Sequence, residues 1–307
     1  MTLQLRSVVT DGLRLALSRN GAVFGAVFLA VETLSLLLVV VAGTSYVPVD
    51  LGAGIEPTGG IAAGSQLSEL TGFAAMVLVG LFSAVVTVPL SIVAIRTFVA
   101  GAADTIPEAA LFNDLGRATV RGIVVSFCYA MLVVGLLLTM SLGIFAVVAV
   151  VGAIDVLSGW IAAVVGIVVG GLLLLAAIAV GIAIWLHFLF LLHEVGVRGQ
   201  GVVDAFRGSW ETVRGNRVRI GGLAFLLVSL RSGISWSGSP SADSGWTLLQ
   251  SVTTGASLVV AAGMAVVTTA ILARAYRDLR AEIDADGLSG RTESRDAESP
   301  QSEPNPG

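Results

Sequence analysis

The chain of 307 residues is 55% hydrophobic and 12% charged, with a formal net charge of −4. Because a soluble domain usually carries about 25% charged residues, this chain has too little polar surface to cover a large core in water. The small net charge does not favour a nucleic-acid partner, and the single cysteine, Cys128, excludes a disulfide framework and a CxxC metal site. The mean hydropathy of +0.92 indicates a protein whose solvent is lipid.

Continuous apolar runs, each long enough for a helix to cross about 30 Å of hydrocarbon, recur along the chain. Barrel strands would alternate apolar and polar residues, whereas these runs are apolar all round and rich in Gly and Ala. The sequence therefore predicts an all-α fold, a polytopic transmembrane helix bundle of about six spans within a domain over 21–276. The predicted spans are 21–43, 72–95, 122–151, 160–192, 220–236 and 246–273.

The first and fifth predicted spans need separate arguments. The first follows a leader over 1–20, and its apolar run exceeds the roughly 7–15 residues of a signal peptide. We therefore interpret it as a retained helix. The fifth is the shortest and is interrupted by Arg231, so the count of six is weakest there.

Amphipathic segments precede the first, third and fifth spans. In the last of these, Val203, Phe206, Trp210 and Val213 recur at helical spacing and form one apolar stripe. The pattern predicts short cytoplasmic amphipathic helices in the membrane interface. One explanation is a repeat of three units, each consisting of such a helix followed by a two-span hairpin. The alternative is that any segment entering a membrane from the cytoplasm is selected for arginine and for amphipathic sequence. The three segments are 11–21, 107–122 and 204–219.

The arginines fix a predicted orientation. They lie in the leader, in 96–121, in 193–219 and after residue 273, whereas the connections 44–71 and 152–159 have none. Sixteen of the 17 thus fall on one side of the predicted membrane, and Arg231 is the exception. By the positive-inside rule that side is the cytoplasm. The sequence predicts a multi-pass protein of the cell membrane with both termini in the cytoplasm.

The C-terminal segment 277–307 is polar and acidic. Because it has few apolar residues to bury, we expect a largely disordered cytoplasmic tail. All basic residues are arginine, which indicates a GC-rich genome and, together with this acidic segment, suits a halophilic source.

Two segments carry a family resemblance. A long apolar helix leads into residues 186–223, which read LHFLFLLHEVGVRGQGVVDAFRGSWETVRGNRVRIGGL. The second segment, 95–122, contains IRTFVAG and IPEAALFNDLGRATVRG. They resemble uncharacterised six-span bacterial and archaeal membrane proteins, with 95–122 closest to a haloarchaeal branch, and are similar to the membrane domain beside some glycerophosphodiester phosphodiesterases. The resemblance covers about 1–280 and implies a six-helix membrane fold without an assigned activity, since the phosphodiesterase's catalytic barrel is absent. The residues that carry it are Asp204, Ala205, Arg207, Ser209, Trp210, Arg214, Gly215 and Asn216.

Glu32 lies near the middle of the first predicted span. A charged side chain there costs about 2.5–3.5 kcal/mol, so it needs a partner, a cavity or a proton. A proton or cation relay would make it functional, whereas a pair with Arg231, the other intramembrane charge, would make both structural. Arg231 could instead extend to the outer surface.

The other polar residues are better explained by structural roles than by a metal or catalytic site. His187 and His193 are six apart, whereas two zinc ligands on one helix stand four apart, so hydrogen bonding at the interface is the better explanation. The sequence predicts no catalytic, cofactor-binding or metal site. Membrane lipids are the expected partner, because guanidinium groups suit lipid phosphates. The expected headgroup contacts are Arg207, Arg214, Arg217 and Arg219.

Three functions remain open at this point. The first is a non-enzymatic structural or accessory protein of the cell envelope. The second is a transporter of a small solute or ion that uses Glu32, and the third is an intramembrane lipid-modifying enzyme. The sequence favours the first, because it offers few polar groups that could converge at one interface.

Overall fold

The computed structural model describes residues 4–44, 63–153, 159–235 and 248–297, and every regular element in these ranges is an α-helix. The predicted all-α helical bundle is confirmed. The helices of the described ranges are α1 (Leu5–Ala16), α2 (Arg19–Thr44), α3 (Ala63–Val99), α4 (Glu108–Phe112), α5 (Leu115–Ala153), α6 (Gly159–His187), α7 (Leu191–Arg198), α8 (Val202–Arg214), α9 (Arg217–Ser235) and α10 (Leu248–Ala297).

Helix α10 lies at the centre of the bundle. Helices α1, α2, α3 and α9 pack along it, and α5 joins the bundle through α3 and α7. Helices α2 and α3 are antiparallel, since the Phe24 and Phe98 rings meet with centroids 5.5 Å apart and the Ser35 and Ser83 hydroxyls share a hydrogen bond of 2.9 Å. Helix α5 pairs with α6 in the same hairpin arrangement.

A dense core occupies the end of the bundle that carries the arginines. We call this region the arginine-end core: helices α1, α4, α7 and α8 with the ends of the longer helices that pack on them. Phe98, Phe190, Ile220 and Leu279 are at most 1% exposed there. The N-terminal helix and the second half of α10 meet in this core, because Gly12 packs directly against the backbone of Ile271.

Away from this core, the long helices expose apolar side chains. Leu142, Phe145 and Ile167 are 68%, 72% and 74% exposed. Hydrocarbon is the solvent that such surfaces require, so the chain is a helical membrane protein. Five helical stretches of the described residues are long and apolar enough to cross a membrane: Arg19–Val41, Val77–Val99, Leu115–Val147, Val164–Arg198 and Thr253–Ala285.

Helix α9, which contains the fifth predicted span, is not one of those five stretches within the described residues. Its 19 residues are about 28 Å long at 1.5 Å per residue. It starts at the arginine-end core, where Leu223 is buried beside Leu272. Helix α10 runs antiparallel to the pair α1 and α2, because Gly12 of α1 lies beside Ile271 and Gly25 of α2 lies beside Val266, so α10 begins at the opposite end. Helices α9 and α10 thus begin at opposite ends of the bundle, and the count of six membrane spans stays a prediction.

Three short helices lead into long ones by the same kind of turn. Two residues separate α1 from α2, α4 from α5, and α8 from α9. Helices α1 and α8 have 12 and 13 residues, as expected for the predicted interfacial helices, but α4 has only five. The middle unit thus differs from the other two, because 115–122, predicted to precede the third span, forms the first two turns of α5.

The fourth predicted span, 160–192, is not one continuous helix. Helix α6 ends at His187, and α7 begins at Leu191 after a three-residue turn. The physical reason is that α7 packs against α3, α5 and α8, which requires the chain to leave the axis of α6. Most of the predicted connection 193–219 is therefore helical, in α7 and α8.

The predicted tail begins within α10, which continues as a helix to Ala297. The disorder of the tail as a whole stays a prediction. Leu279 and Arg280 are 1% and 9% exposed and belong to the arginine-end core. The burial of Leu279 and the ion pair of Arg280 thus fix the start of a segment whose overall composition is polar. The end of the predicted tail, 298–307, lies outside the described residues.

Candidate functional site

A buried ion pair between Glu194 of α7 and Arg280 of α10 is the polar centre of the arginine-end core. The Glu194 side chain is fully buried, and its Oε1 accepts hydrogen bonds from Nε of Arg280 at 3.0 Å and from Nη2. Nη2 also donates to the carbonyl of Gly208, in α8, at 3.2 Å. One guanidinium of α10 thus joins this helix to α7 and α8, which are neighbours in sequence but lie 72 or more positions before Arg280 at the two contacts.

Three further side chains surround the Glu194 carboxylate. The Thr212 hydroxyl lies 3.3 Å from Oε1 and donates more closely, at 2.8 Å, to the Gly208 carbonyl. The Gln200 amide, with its nitrogen turned towards the carboxylate, donates to Oε2 at 3.3 Å. Arg198, which is partly exposed, lies 3.8 Å from Oε2. These donors compensate the desolvation of the carboxylate, so the arrangement stabilises a fixed negative charge.

Gly208 allows α8 to approach this carboxylate closely. A Cβ atom at this position would lie 2.9 Å from Cδ of Glu194 and 2.9 Å from the Gln200 side-chain oxygen. The absence of a side chain therefore permits the carbonyl of Gly208 to reach Arg280. Sequence reasoning identified 204–219 as amphipathic, but it gave this glycine no role.

Other arginines of the core contact carbonyls and a carboxylate of the protein itself. Arg96 donates from Nε to the Gly196 carbonyl at 2.6 Å and from Nη1 to the Asn113 carbonyl at 2.7 Å. Arg121 donates to the carbonyl of Gly199, and Arg274 lies 3.3 Å from the Asp11 carboxylate. The last carbonyls of a helix lack intrahelical partners. The hydrogen bonds from Arg96 and Arg121 therefore satisfy carbonyls at the C-terminal ends of α4 and α7.

The two histidines lie in different surroundings, in agreement with their six-residue spacing. His187 Nδ1 shares a 2.6 Å hydrogen bond with the Ala183 carbonyl, and its ring stacks on Trp210 at 4.0 Å. His193 is 4% exposed and lies between the rings of Phe190 and Tyr276. Neither ring nitrogen of His193 has a hydrogen-bond partner within the described chain. No three His, Cys, Asp or Glu side chains in the described ranges converge as a metal site would require.

His193 lines a partly open cavity of about 280 Å³ between α3, α5, α6, α7 and α10. Four hydroxyl-bearing residues also line it: Ser91, Ser126, Tyr129 and Thr269. Tyr129 and Trp185 belong in addition to the wall of an apolar groove of about 420 Å³ between α5 and α6. A second apolar groove, of about 520 Å³, lies between α6 and α9.

Of the two predicted intramembrane charges, Glu32 is not brought into this region. Glu32 is exposed on α2, and it lines none of the three cavities described above. Arg231 lies in α9, and its side chain is outside the described part of the structure. Helix α2 packs on α1, α3 and α10, whereas α9 packs on α6, α8 and α10. The pair between Glu32 and Arg231 stays a prediction.

The predicted lipid-contacting arginines lie on the surface of the arginine-end core. Arg207, Arg214 and Arg217 are exposed, and Arg219 is partly buried. On α8 the opposite face is packed, because Ala205 and Val213 are fully buried. The predicted apolar stripe coincides with the buried face only in part. Val213 is buried and Phe206 is partly buried, whereas Val203 and Trp210 are 72% and 43% exposed.

Sequence reasoning missed the pair of Glu194 and Arg280 and the cavity at His193. The sequence analysis gave Glu194 no role, and it placed Arg280 in the polar segment 277–307. Leu279 beside Arg280, in register with Tyr276 and Leu272 at three- to four-residue spacing, is the signal that could have placed this segment in the core.

These features define a helical membrane protein with a folded, arginine-rich end. The chain belongs to a family described as a domain of unknown function, DUF7847, which matches residues 3–279. No curated protein and no solved structure matches the chain. The resemblance to haloarchaeal proteins and to phosphodiesterase membrane domains stays a prediction.

Proposed function

We propose that the protein has a non-catalytic, structural or accessory role in the cell membrane. The proposal rests on the groups that the charged side chains of the arginine-end core contact. Arg96, Arg121, Arg274, Arg277 and Arg280 hold carbonyls or carboxylates of the protein itself. Charged groups held in this way hold helices together rather than act on a substrate.

We further propose that the arginine-end core faces the cytoplasm, with six crossings and both termini on that side. Supporting this, α1 packs on the second half of α10, and α9 begins at the arginine-end core whereas α10 begins at the opposite end. The positive-inside rule supplies the direction. The all-arginine basic complement supports a halophilic archaeal source.

Membrane lipids are the proposed partner of the core surface, and we propose no nucleic-acid partner. Arg207, Arg214 and Arg217 are exposed on α8 and at the start of α9, where the chain approaches the apolar half of the bundle. A guanidinium at this level can bind lipid phosphates bidentately.

The two alternatives have weaker support. A transporter that uses Glu32 requires this carboxylate to line a solvated path, whereas Glu32 is exposed on the outside of α2. An intramembrane enzyme has polar groups at the His193 cavity, but the residues that line this cavity include no carboxylate to orient the imidazole. Glu194, next in sequence, is bound by Arg280.

Complementation of a deletion strain separates the accessory role from transport. We expect Glu32→Gln to restore growth under envelope stress to the level of the unaltered protein. The triple variant Arg207→Gln/Arg214→Gln/Arg217→Gln should lose at least tenfold in survival while remaining membrane-inserted at normal abundance. Arg6→Gln/Arg14→Gln, a charge-reducing control on α1, should complement. Loss of complementation by Glu32→Gln together with loss of ion or solute flux would contradict the accessory role.

A further inference from the structure

The geometry points to a binding site for a single-chain amphiphile with an uncharged, hydroxyl- or carbonyl-bearing head: the head in the His193 cavity and the chain along α6. This inference rests on the membrane location of the protein and is independent of its accessory role. The steps below take the head site, the chain site and the class of head in turn.

The head site contains a buried polar group that lacks a partner. His193 is 4% exposed, and neither of its ring nitrogens is hydrogen-bonded within the described residues. Leaving a buried donor or acceptor unsatisfied costs about 1–3 kcal/mol, so native proteins usually satisfy such groups. His193 lines the cavity of about 280 Å³, so a polar ligand in that cavity would lie beside this unsatisfied imidazole.

The chain site adjoins the head site. Tyr129 and Trp185 form part of both the polar cavity and the groove of about 420 Å³ between α5 and α6. Apart from Ser141 and the rings of these two residues, that groove is lined by aliphatic side chains, methionine and glycine. Ile178, Gly181 and Trp185 continue into the second groove, beside α9. A hydrocarbon chain would bury apolar surface here without a polar penalty.

The lining selects an uncharged head. The polar groups are the hydroxyls of Ser91, Ser126, Tyr129 and Thr269 and the His193 imidazole, and no arginine or carboxylate lines the cavity. An anionic phosphate would enter this site without a cation to pair with, which is costly in a low-dielectric environment. A hydroxyl could both donate to and accept from these groups, whereas a carbonyl could accept from their O–H and N–H donors.

Photo-crosslinking of the purified full-length protein in phosphatidylglycerol nanodiscs tests the site. The probe is a monoacylglycerol that carries a diazirine in its acyl chain, and crosslinked peptides are located by mass spectrometry. We expect labelling of α5 and α6 beside the α5–α6 groove. Excess unlabelled monooleoylglycerol should reduce this labelling at least tenfold, whereas lysophosphatidate of the same chain should reduce it less than twofold. Equal competition by both would overturn the assignment of the head.

A matched pair of glycine variants separates this site from ordinary lipid contact. A Cβ on Gly181 or Gly170, both in α6, would meet no atom within 4 Å, so both positions accept a larger side chain. Gly181→Phe fills the junction of the two grooves and should lower labelling at least tenfold, whereas Gly170→Phe should change it less than twofold. Equal labelling of the two variants would show ordinary membrane lipid and overturn the proposal.

Two head-site variants complete the test. His193→Phe should lower labelling at least fivefold. Ser91→Ala/Ser126→Ala, which removes two hydroxyls without adding volume, should lower it at least threefold and keeps the test valid where His193→Phe does not fold. His187→Phe is the control, because His187 is outside the cavity. Unchanged labelling in a folded head-site variant would contradict the role of the cavity.

Discussion

Phe190 and Leu279, in the arginine-end core, are at most 1% exposed, whereas Leu142 and Phe145, in the apolar half of α5, are 68% and 72% exposed. The first region packs like the interior of a soluble protein, where close contact excludes solvent. In the second region, lipid takes the place of a protein neighbour. The difference shows that this small membrane protein concentrates its specific packing at one end of the bundle.

Polar groups follow the same division. In the arginine-end core, Glu194 and Arg280 are bound by several donors and acceptors from α7, α8 and α10. In the apolar half, the hydrogen bond between Ser35 and Ser83 joins two helices by a single contact. The structure of the core should therefore depend on particular side chains, and the apolar half should tolerate substitution.

The largest expected effect follows from removing one partner of the buried ion pair. Arg280→Met leaves the Glu194 carboxylate buried without its main partner, and a break of this kind costs about 3–5 kcal/mol. Chemical denaturation in detergent, followed by tryptophan fluorescence, measures the loss in the free energy of unfolding.

The double variant Glu194→Leu/Arg280→Met provides the control. It removes both charges together, so we expect it to be more stable than Arg280→Met alone. If Arg280→Met were as stable as the unaltered protein, the ion pair of Glu194 and Arg280 would not stabilise the core.

The next effect compares one leucine from each region. Leu279→Ala creates a cavity in the core and should cost about 2–5 kcal/mol. Leu142→Ala removes the same atoms from a lipid-facing position and should change the free energy of unfolding by less than about 0.5 kcal/mol. The same denaturation measurement applies, and equal losses for the two variants would erase the distinction between the regions.

The smallest effect compares two glycines. A Cβ on Gly12 would lie 2.7 Å from the Ile271 Cα atom, whereas one on Gly116 would meet nothing within 4 Å. Gly12→Ala should therefore cost about 1–3 kcal/mol by overpacking α1 against α10. Gly116→Ala, in α5, should be neutral or stabilise by up to about 1 kcal/mol. Thermal unfolding monitored by circular dichroism separates these outcomes, and a neutral Gly12→Ala would contradict the close docking of α1.

The sequence predicted the features that depend on composition and local spacing. Apolar runs identify α2, α3, α5, α6 and α10, because a continuous apolar segment has no other stable environment than lipid or a core. The stripe of Val203, Phe206, Trp210 and Val213 places α8, since helical periodicity is a local property.

What could not be predicted depends on contacts between distant segments. Glu194 and Arg280 are 86 positions apart, and without a structure both are charges beside apolar helices. The break after His187 has no glycine or proline signal, because packing of α7 rather than local propensity ends α6. The His193 cavity likewise requires side chains from five helices.

Cysteine accessibility in intact cells tests the central claim, that the arginine-end core lies on the cytoplasmic face of a six-span bundle. In a Cys128→Ala background, Thr10→Cys and Glu211→Cys report on this core, and Asp50→Cys and Ser241→Cys report on the opposite connections. A membrane-impermeant maleimide should label the second pair in intact cells and the first pair only after permeabilisation. Labelling of Thr10→Cys or Glu211→Cys in intact cells, or protection of Ser241→Cys, would contradict the account.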